Sequence, residues 1–167
     1  PYIVHRLDKE TSGVLIVAKT REYAQLFTSL FRIRRIHKTY IALTHGNVSK
    51  KIRTLKDDLI TIDNGKKITQ NAISHIRLLK TSTDFSYVEL NPITGRKHQL
   101  RKQLYNIGNP IIGDDKYFIN RRADKIKIKS KNLLLHAYKI KFMINNIQYN
   151  FKAEYDDEFE KFLKKNF

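Results

Sequence analysis

An α+β fold with a mixed, mainly antiparallel sheet and flanking helices is predicted by three observations. First, Tyr138, Ile140, Phe142 and Ile144 alternate with Lys139, Lys141 and Met143, and Ile147, Tyr149, Phe151 and Ala153 alternate with Gln148, Asn150 and Lys152. With the Asn145-Asn146 connection between them, this period of two marks a hairpin with one buried face. Second, strand-like runs outnumber helical ones and come in hairpins. Third, the helical stretches are short and separated by strands, at Thr20 to about Arg32, after Gly95, and after Asp156.

The elements follow in order. Tyr2 to Val4 and Val14 to Ala18 are apolar runs with the length and β-branching of buried strands. Between them Arg6 and Asp8 sit on a polar segment ending at Gly13. In the first helix Tyr23, Leu26, Phe27, Leu30 and Phe31 recur at helical spacing, with Glu22 near the positive end of the dipole. The basic run Arg32 to Lys38 leads into a strand, Thr39 to Leu43, closed by Gly46. Residues 47–70 are the least regular, and Asn64-Gly65 within them is a turn signal suited to a hairpin tip. Ala72 to Leu79 and Phe85 to Leu90 read as strands. Pro92-Ile93-Thr94-Gly95 opens a helix on which Leu100, Leu104 and Ile107 share a face, and Gly108 stops it. Arg121 to Lys131 reads as a basic loop. Asp156 caps the last helix, with Phe159, Phe162 and Leu163 on one side.

The 167 residues are enough for one domain with a core, spanning 1–167. Lys and Arg number 33 against 16 Asp and Glu, a net charge of +17 spread along the chain. That balance favours a polyanion as partner, nucleic acid ahead of an acidic membrane. With no cysteine, disulfides and thiolate metal sites are excluded, which suits a reducing compartment such as the cytoplasm. No apolar run approaches the roughly 20 residues of a membrane span. The chain opens at Pro1 inside an apolar run, so an N-terminal part is expected to be missing.

Several residues invite chemistry. A carboxylate two residues from an arginine on an anchored loop, Asp8 and Arg6, suits a reactive site, although Asp8 could equally cap the Thr11-Ser12 turn. Arg96, Lys97, His98, Arg101 and Lys102 crowd the first two turns of the helix after Gly95. Cations there oppose the helix dipole, and a bound anion would compensate. Tyr40 is either a core ring or one presented to a base. Asp114 and Asp115 lack the partner spacing of a metal site.

Taken together, these stretches resemble the pseudouridine synthases of the RluA type, most like the RluC branch. His5-Arg6-Leu7-Asp8-Lys9-Glu10-Thr11-Ser12-Gly13 is similar to the family's catalytic-aspartate motif. Lys38-Thr39-Tyr40-Ile41-Ala42-Leu43 followed by Gly46 is similar to its tyrosine strand. Thr94-Gly95-Arg96-Lys97-His98-Gln99-Leu100-Arg101, continued by Gly108-Asn109-Pro110-Ile111-Ile112-Gly113-Asp114, is similar to its arginine motif. Leu135-His136-Ala137 resembles a fourth signature. The family's opening strands with an Asn-Lys-Pro segment, and the S4-type RNA-binding domain of many members, are not in these residues. Lys97 stands where a threonine is common.

The resemblance implies isomerisation of uridine to pseudouridine in RNA, large-subunit ribosomal RNA for this branch, with no cofactor and no essential metal. Asp8 would be the catalytic carboxylate, attacking the sugar or the base, with a close arginine favouring its charged form. Arg101 matches the arginine that pairs with it, Tyr40 the ring that packs on the uracil, and Leu135 the apolar floor beneath it. Arg6 would fill the space left by the flipped base. Arg34, Arg35, Lys38, Arg96 and Lys97 are candidate phosphate contacts. A monomer is expected, with RNA as partner and no membrane. The rival readings are a non-catalytic basic RNA-binding or ribosome-assembly protein on the same fold, and a DNA-binding module. The second lacks a recognition helix with an exposed reading face.

Overall fold

The computed structural model describes residues 1–118, 130 and 132–167. The basic stretch expected to form a loop at 121–131 lies, Ser130 apart, outside the described residues.

The chain begins with β1 (Tyr2–Ile3), β2 (Ser12–Gly13) and β3 (Val17–Ala18), followed by α1 (Arg21–Arg32) and β4 (His37–His45). Next come β5 (Thr54–Asp63), β6 (Lys66–Thr81), β7 (Phe85–Pro92) and α2 (Gln99–Asn106), then β8 (Leu135–Ile144), β9 (Ile147–Lys152) and α3 (Asp157–Asn166). Seven strands form one sheet in the order β2-β8-β4-β7-β6-β5, with β9 also paired to β8. All its pairings are antiparallel except β2 with β8, so the sheet is mixed and mainly antiparallel, as the sequence predicts.

Alternation along β4 explains how the two faces are covered. Ala42 points with Val88, Leu90 and Ile76 toward Leu100 and Leu104 of α2, while Ile41 and Leu43 point with Phe85 and Leu134 toward Phe159 of α3. The helix predicted from Thr20 is α1. Its Thr20 cap accepts from the Tyr23 amide, and Phe27 packs edge-on against Phe142. It ends in a Schellman motif, in which the Arg35 amide bonds to the Leu30 carbonyl and the Arg34 amide to that of Phe31. That motif needs a left-handed residue, and Arg34 takes the position with φ 57°. Both predicted hairpin tips form with positive φ at both central residues, Asn64-Gly65 and Asn145-Asn146, the geometry that matches strand twist.

Three expectations need correction. The apolar runs at 2–4 and 14–18 are not buried strands. β1 and β3 pair over only two residues each, and Ile3 is 80% exposed. From Thr54 on, the stretch at 47–70 is regular after all, since β5 pairs with β6 over ten residue pairs. Only one face of that ribbon meets the core, through Leu55, Leu59 and Ala72, so its sequence lacks the density of apolar residues that marks a buried strand. Finally, α2 starts at Gln99, so Arg96, Lys97 and His98 form the turn before it.

Candidate active site

The segment carrying Asp8 is pinned at three points. Near its start the His5 Nε2 accepts from the Ile16 amide at 2.9 Å. At its end Ser12 Oγ and His136 Nδ1 are 2.8 Å apart. Gly13 then pairs with Ala137 in β8, with φ 111°, and a Cβ built there would stand 2.2 Å from the Ala137 carbonyl oxygen. No other residue type fits that close approach. The turn itself is held by the Thr11 amide donating to the main-chain carbonyl of Asp8 at 2.9 Å. The Asp8 carboxylate is thereby released from the capping role that the sequence left open, and it faces a cavity.

The opposite anchor is the turn preceding α2. Thr94 Oγ1 donates to Gln99 Oε1 at 2.7 Å, and that oxygen also accepts from the Arg96 amide at 3.0 Å. Gln99 Nε2 donates to the Ile73 carbonyl and to Ser74 Oγ. Ser74 donates to Gln103, whose amide reaches the Leu55 and Ala72 carbonyls. This buried chain stitches the turn and α2 to β5 and β6, with both polar ends of each amide satisfied.

Between the two anchors lies a cavity of about 340 Å³ whose lining includes Asp8, Tyr40, Leu135, Arg6, Lys38, Arg96, Lys97 and His98. Its size falls in the range of small-molecule sites. Tyr40 comes from β4 where the pairing with β8 slips between Thr39 and Ile41, a bulge of the kind that re-aims a side chain. Burial, with Asp8 adding to it, pushes the Tyr40 phenol up to about 12, so it is a neutral O–H donor near pH 7. Burial also lowers the Lys38 ammonium. The Lys38 Nζ lies 3.9 Å from where a Cβ on Gly95 would stand, so the two motifs meet at that point.

Of the residues singled out from sequence, Asp8, Tyr40, Arg6, Leu135, Lys38, Arg96 and Lys97 are brought to this cavity. Arg34 and Arg35 are exposed at the end of α1 and do not line it. The expectation that Arg101 pairs with Asp8 is corrected. Arg101 donates through Nε and Nη2 to both oxygens of Asp114, each at 2.7 Å, and through Nη2 to Asp115 at 3.3 Å. Both members of the Arg101–Asp114 pair are buried, with side-chain exposures of 7% and 0%. The fork of the guanidinium matches a carboxylate in its own plane. Asp114 lies on the loop just after α2, and its Oδ1 also accepts from the Lys116 and Tyr117 amides. Among the described residues the basic side chain within 4 Å of the Asp8 carboxylate is instead His98, with Nε2 at 3.9 Å from Oδ1. Sequence reasoning placed His98 on the helix as one more surface cation. A histidine just before the helix, where the backbone turns left-handed at φ 53°, carries no local signal of that role.

A family model described as RNA pseudouridylate synthase matches residues 1–106, which hold the Asp8 and Tyr40 segments and all of α2. The chain belongs to the RNA pseudouridylate synthase family. Among its relatives, the ribosomal large subunit pseudouridine synthase D of Borreliella burgdorferi is 34% identical, over 98% of this chain and 51% of the relative. The ribosomal large subunit pseudouridine synthase C of Buchnera aphidicola is 37% identical, over 84% of this chain and 48% of the relative. The chain therefore spans about half the length of these curated relatives. Human RNA Pseudouridylate Synthase Domain Containing 4 superposes with a TM-score of 0.75 at 28% identity, covering 98% of this chain and 74% of that one.

Proposed function

We propose that this chain is the catalytic part of an enzyme that isomerises uridine to pseudouridine in RNA, with large-subunit ribosomal RNA as its substrate class. The observation that carries the reading is one cavity lined by the Asp8 carboxylate, the Tyr40 ring and the apolar Leu135, with Arg6, Lys38, Arg96 and Lys97 around them. A carboxylate and an aromatic ring in a cation-lined recess are what a flipped nucleobase on an anionic strand requires. The names of the two bacterial relatives support ribosomal RNA over other RNAs.

In this reaction the bond from N1 to the sugar breaks, a bond from C5 to the same sugar carbon forms, and the C5 proton leaves while N1 gains one. Asp8 acts as nucleophile in the detachment of the base. Tyr40 packs on the uracil, and its raised pKa keeps it a hydrogen-bond donor through that step. Leu135 supplies an apolar contact beneath the base, and Arg6 fills the vacated stack. Arg101 acts at a remove, by holding the Asp114 loop against the site.

Loss of the C5 proton gives the test. RNA labelled with [5-³H]uridine should release tritium with the parent protein, on large-subunit ribosomal transcripts in preference to transfer RNA. Asp8→Asn is expected to lower release by at least about 1,000-fold with RNA binding retained, since the substitution removes a negative charge from a basic cavity. Release unchanged in that variant would remove Asp8 from the chemistry. Binding without release by the parent would favour the non-catalytic RNA-binding reading.

A further inference from the structure

Next to Asp8 stands a short relay of side chains that the chemistry above does not use. His98 Nδ1 is 3.0 Å from the Tyr117 hydroxyl, and its Nε2 is 3.9 Å from Asp8 Oδ1. Tyr117 is fixed in turn. Its amide donates to Asp114 Oδ1 at 2.9 Å, and its ring lies 5.2 Å beneath the Arg101 guanidinium and 5.7 Å edge-on from the His98 ring. The Arg101–Asp114 pair is thus linked to Asp8 through Tyr117 and His98, and the Asp8 charge also acts directly on the Arg101 guanidinium.

We infer that His98 is a positioning residue for Asp8, with its tautomer set by Tyr117: the Tyr117 hydroxyl donates to Nδ1, leaving a proton on Nε2 that points at the Asp8 carboxylate. The logic is that of a ligand histidine whose far nitrogen is fixed by a second partner. At 3.9 Å the contact to Asp8 is longer than a hydrogen bond, a separation of the kind that often tightens in the complex with substrate. The surroundings favour the neutral ring that this assignment needs. Burial lowers the His98 pKa, Asp8 opposes that shift, and Arg101, Lys116 and Lys97 reinforce it. Burial also raises the Tyr117 phenol, so its hydroxyl keeps the proton it donates. The left-handed backbone at His98, φ 53°, would be more easily adopted by glycine or asparagine. A histidine held there against backbone preference points to a use for its ring.

The inference rests on the reading of Asp8 as the reacting carboxylate, and its test has one arm that does not depend on activity. In protein labelled with ¹⁵N-histidine, His98 should show the Nε2–H tautomer near pH 7, and Tyr117→Phe should move its unprotonated Nδ1 resonance to that of a nitrogen that accepts no hydrogen bond. An Nδ1–H tautomer in the parent, or an unmoved Nδ1 resonance in Tyr117→Phe, would overturn the assignment. In the tritium-release assay, His98→Gly should relax the backbone and fold, yet lower kcat by about 100-fold with KM for RNA within twofold. His98→Gln, whose amide can place an N–H near the Nε2 position, should recover about tenfold of that loss. A His98→Gly protein with kcat within twofold of the parent would show that the residue serves only the turn. If the parent itself releases no tritium from any RNA, the enzymatic reading fails, and the tautomer measurement still decides the Tyr117–His98 contact.

Discussion

The two walls of the cavity are built in contrasting ways. The Asp8 wall rests on strands of two residues each and is pinned by single contacts, at Gly13 on Ala137, Ser12 on His136 and His5 on Ile16. The wall before α2 is backed by the Thr94–Gln99–Ser74–Gln103 network and by the Arg101–Asp114 pair, all buried. Polar networks in a low-dielectric interior hold one geometry because each alternative leaves a group unpaired. A segment on short strands can shift with little loss.

The largest effect expected from breaking this contrast comes from Asp114→Ala. It leaves the Arg101 guanidinium buried without its main partner, which costs about 3–5 kcal/mol, and it frees the loop that carries Tyr117. Chemical denaturation should show that loss, with tritium release falling in parallel. Gly13→Ala probes the other wall. Its Cβ would meet the Ala137 carbonyl, so β2 must lift from β8 at a cost of about 2–3 kcal/mol. Here activity should fall much further than stability, because Asp8 is displaced while the core stays packed. Equal losses in stability for the two variants, or a Gly13→Ala protein of full activity, would erase the distinction.

The smallest effect is a pH dependence. Burial, aided by Lys38, holds the His5 pKa down at about 4 against an ordinary 6.5. Between those values the unfolded chain binds a proton that the folded chain does not. The stability contributed by neutral His5 is therefore complete above pH 6.5 and is lost as pH falls toward 4. His5→Gln, which can still accept from the Ile16 amide, should melt with a shallower pH dependence, by about 5 °C over that window. Parallel melting curves for the two proteins would place the Asp8 anchor elsewhere.

Much of this architecture was legible from residue order. The stripe Tyr23 to Phe31 made α1, the alternation after Tyr138 made the β8–β9 hairpin, and Asn64-Gly65 marked a hairpin tip, because each signal is local and periodic. β5 and the first half of β6 were not legible as strands, since Thr, Lys, Asp and Asn on their open face dilute the apolar pattern, although Ala72 to Leu79 of β6 read as one. Nor was the shortness of β1 and β3: the residues flanking them, Val4, Val14 and Ile16, pack with Phe27 of α1 and Phe142 of β8.

For the site the division is similar. The family likeness, carried by a few consecutive residues in each stretch, singled out Asp8, Tyr40, Leu135, Arg6, Lys38, Arg96 and Lys97, which the structure brings to one cavity. Partnership was a matter of space. Arg101 takes Asp114 because the loop after α2 returns beneath the helix, and His98 reaches Asp8 because the turn before α2 bends left-handed across from the β1–β2 segment. A charge pairs with whichever opposite group the packed chain sets within a few ångströms in a low dielectric, and spacing along the sequence does not contain that distance.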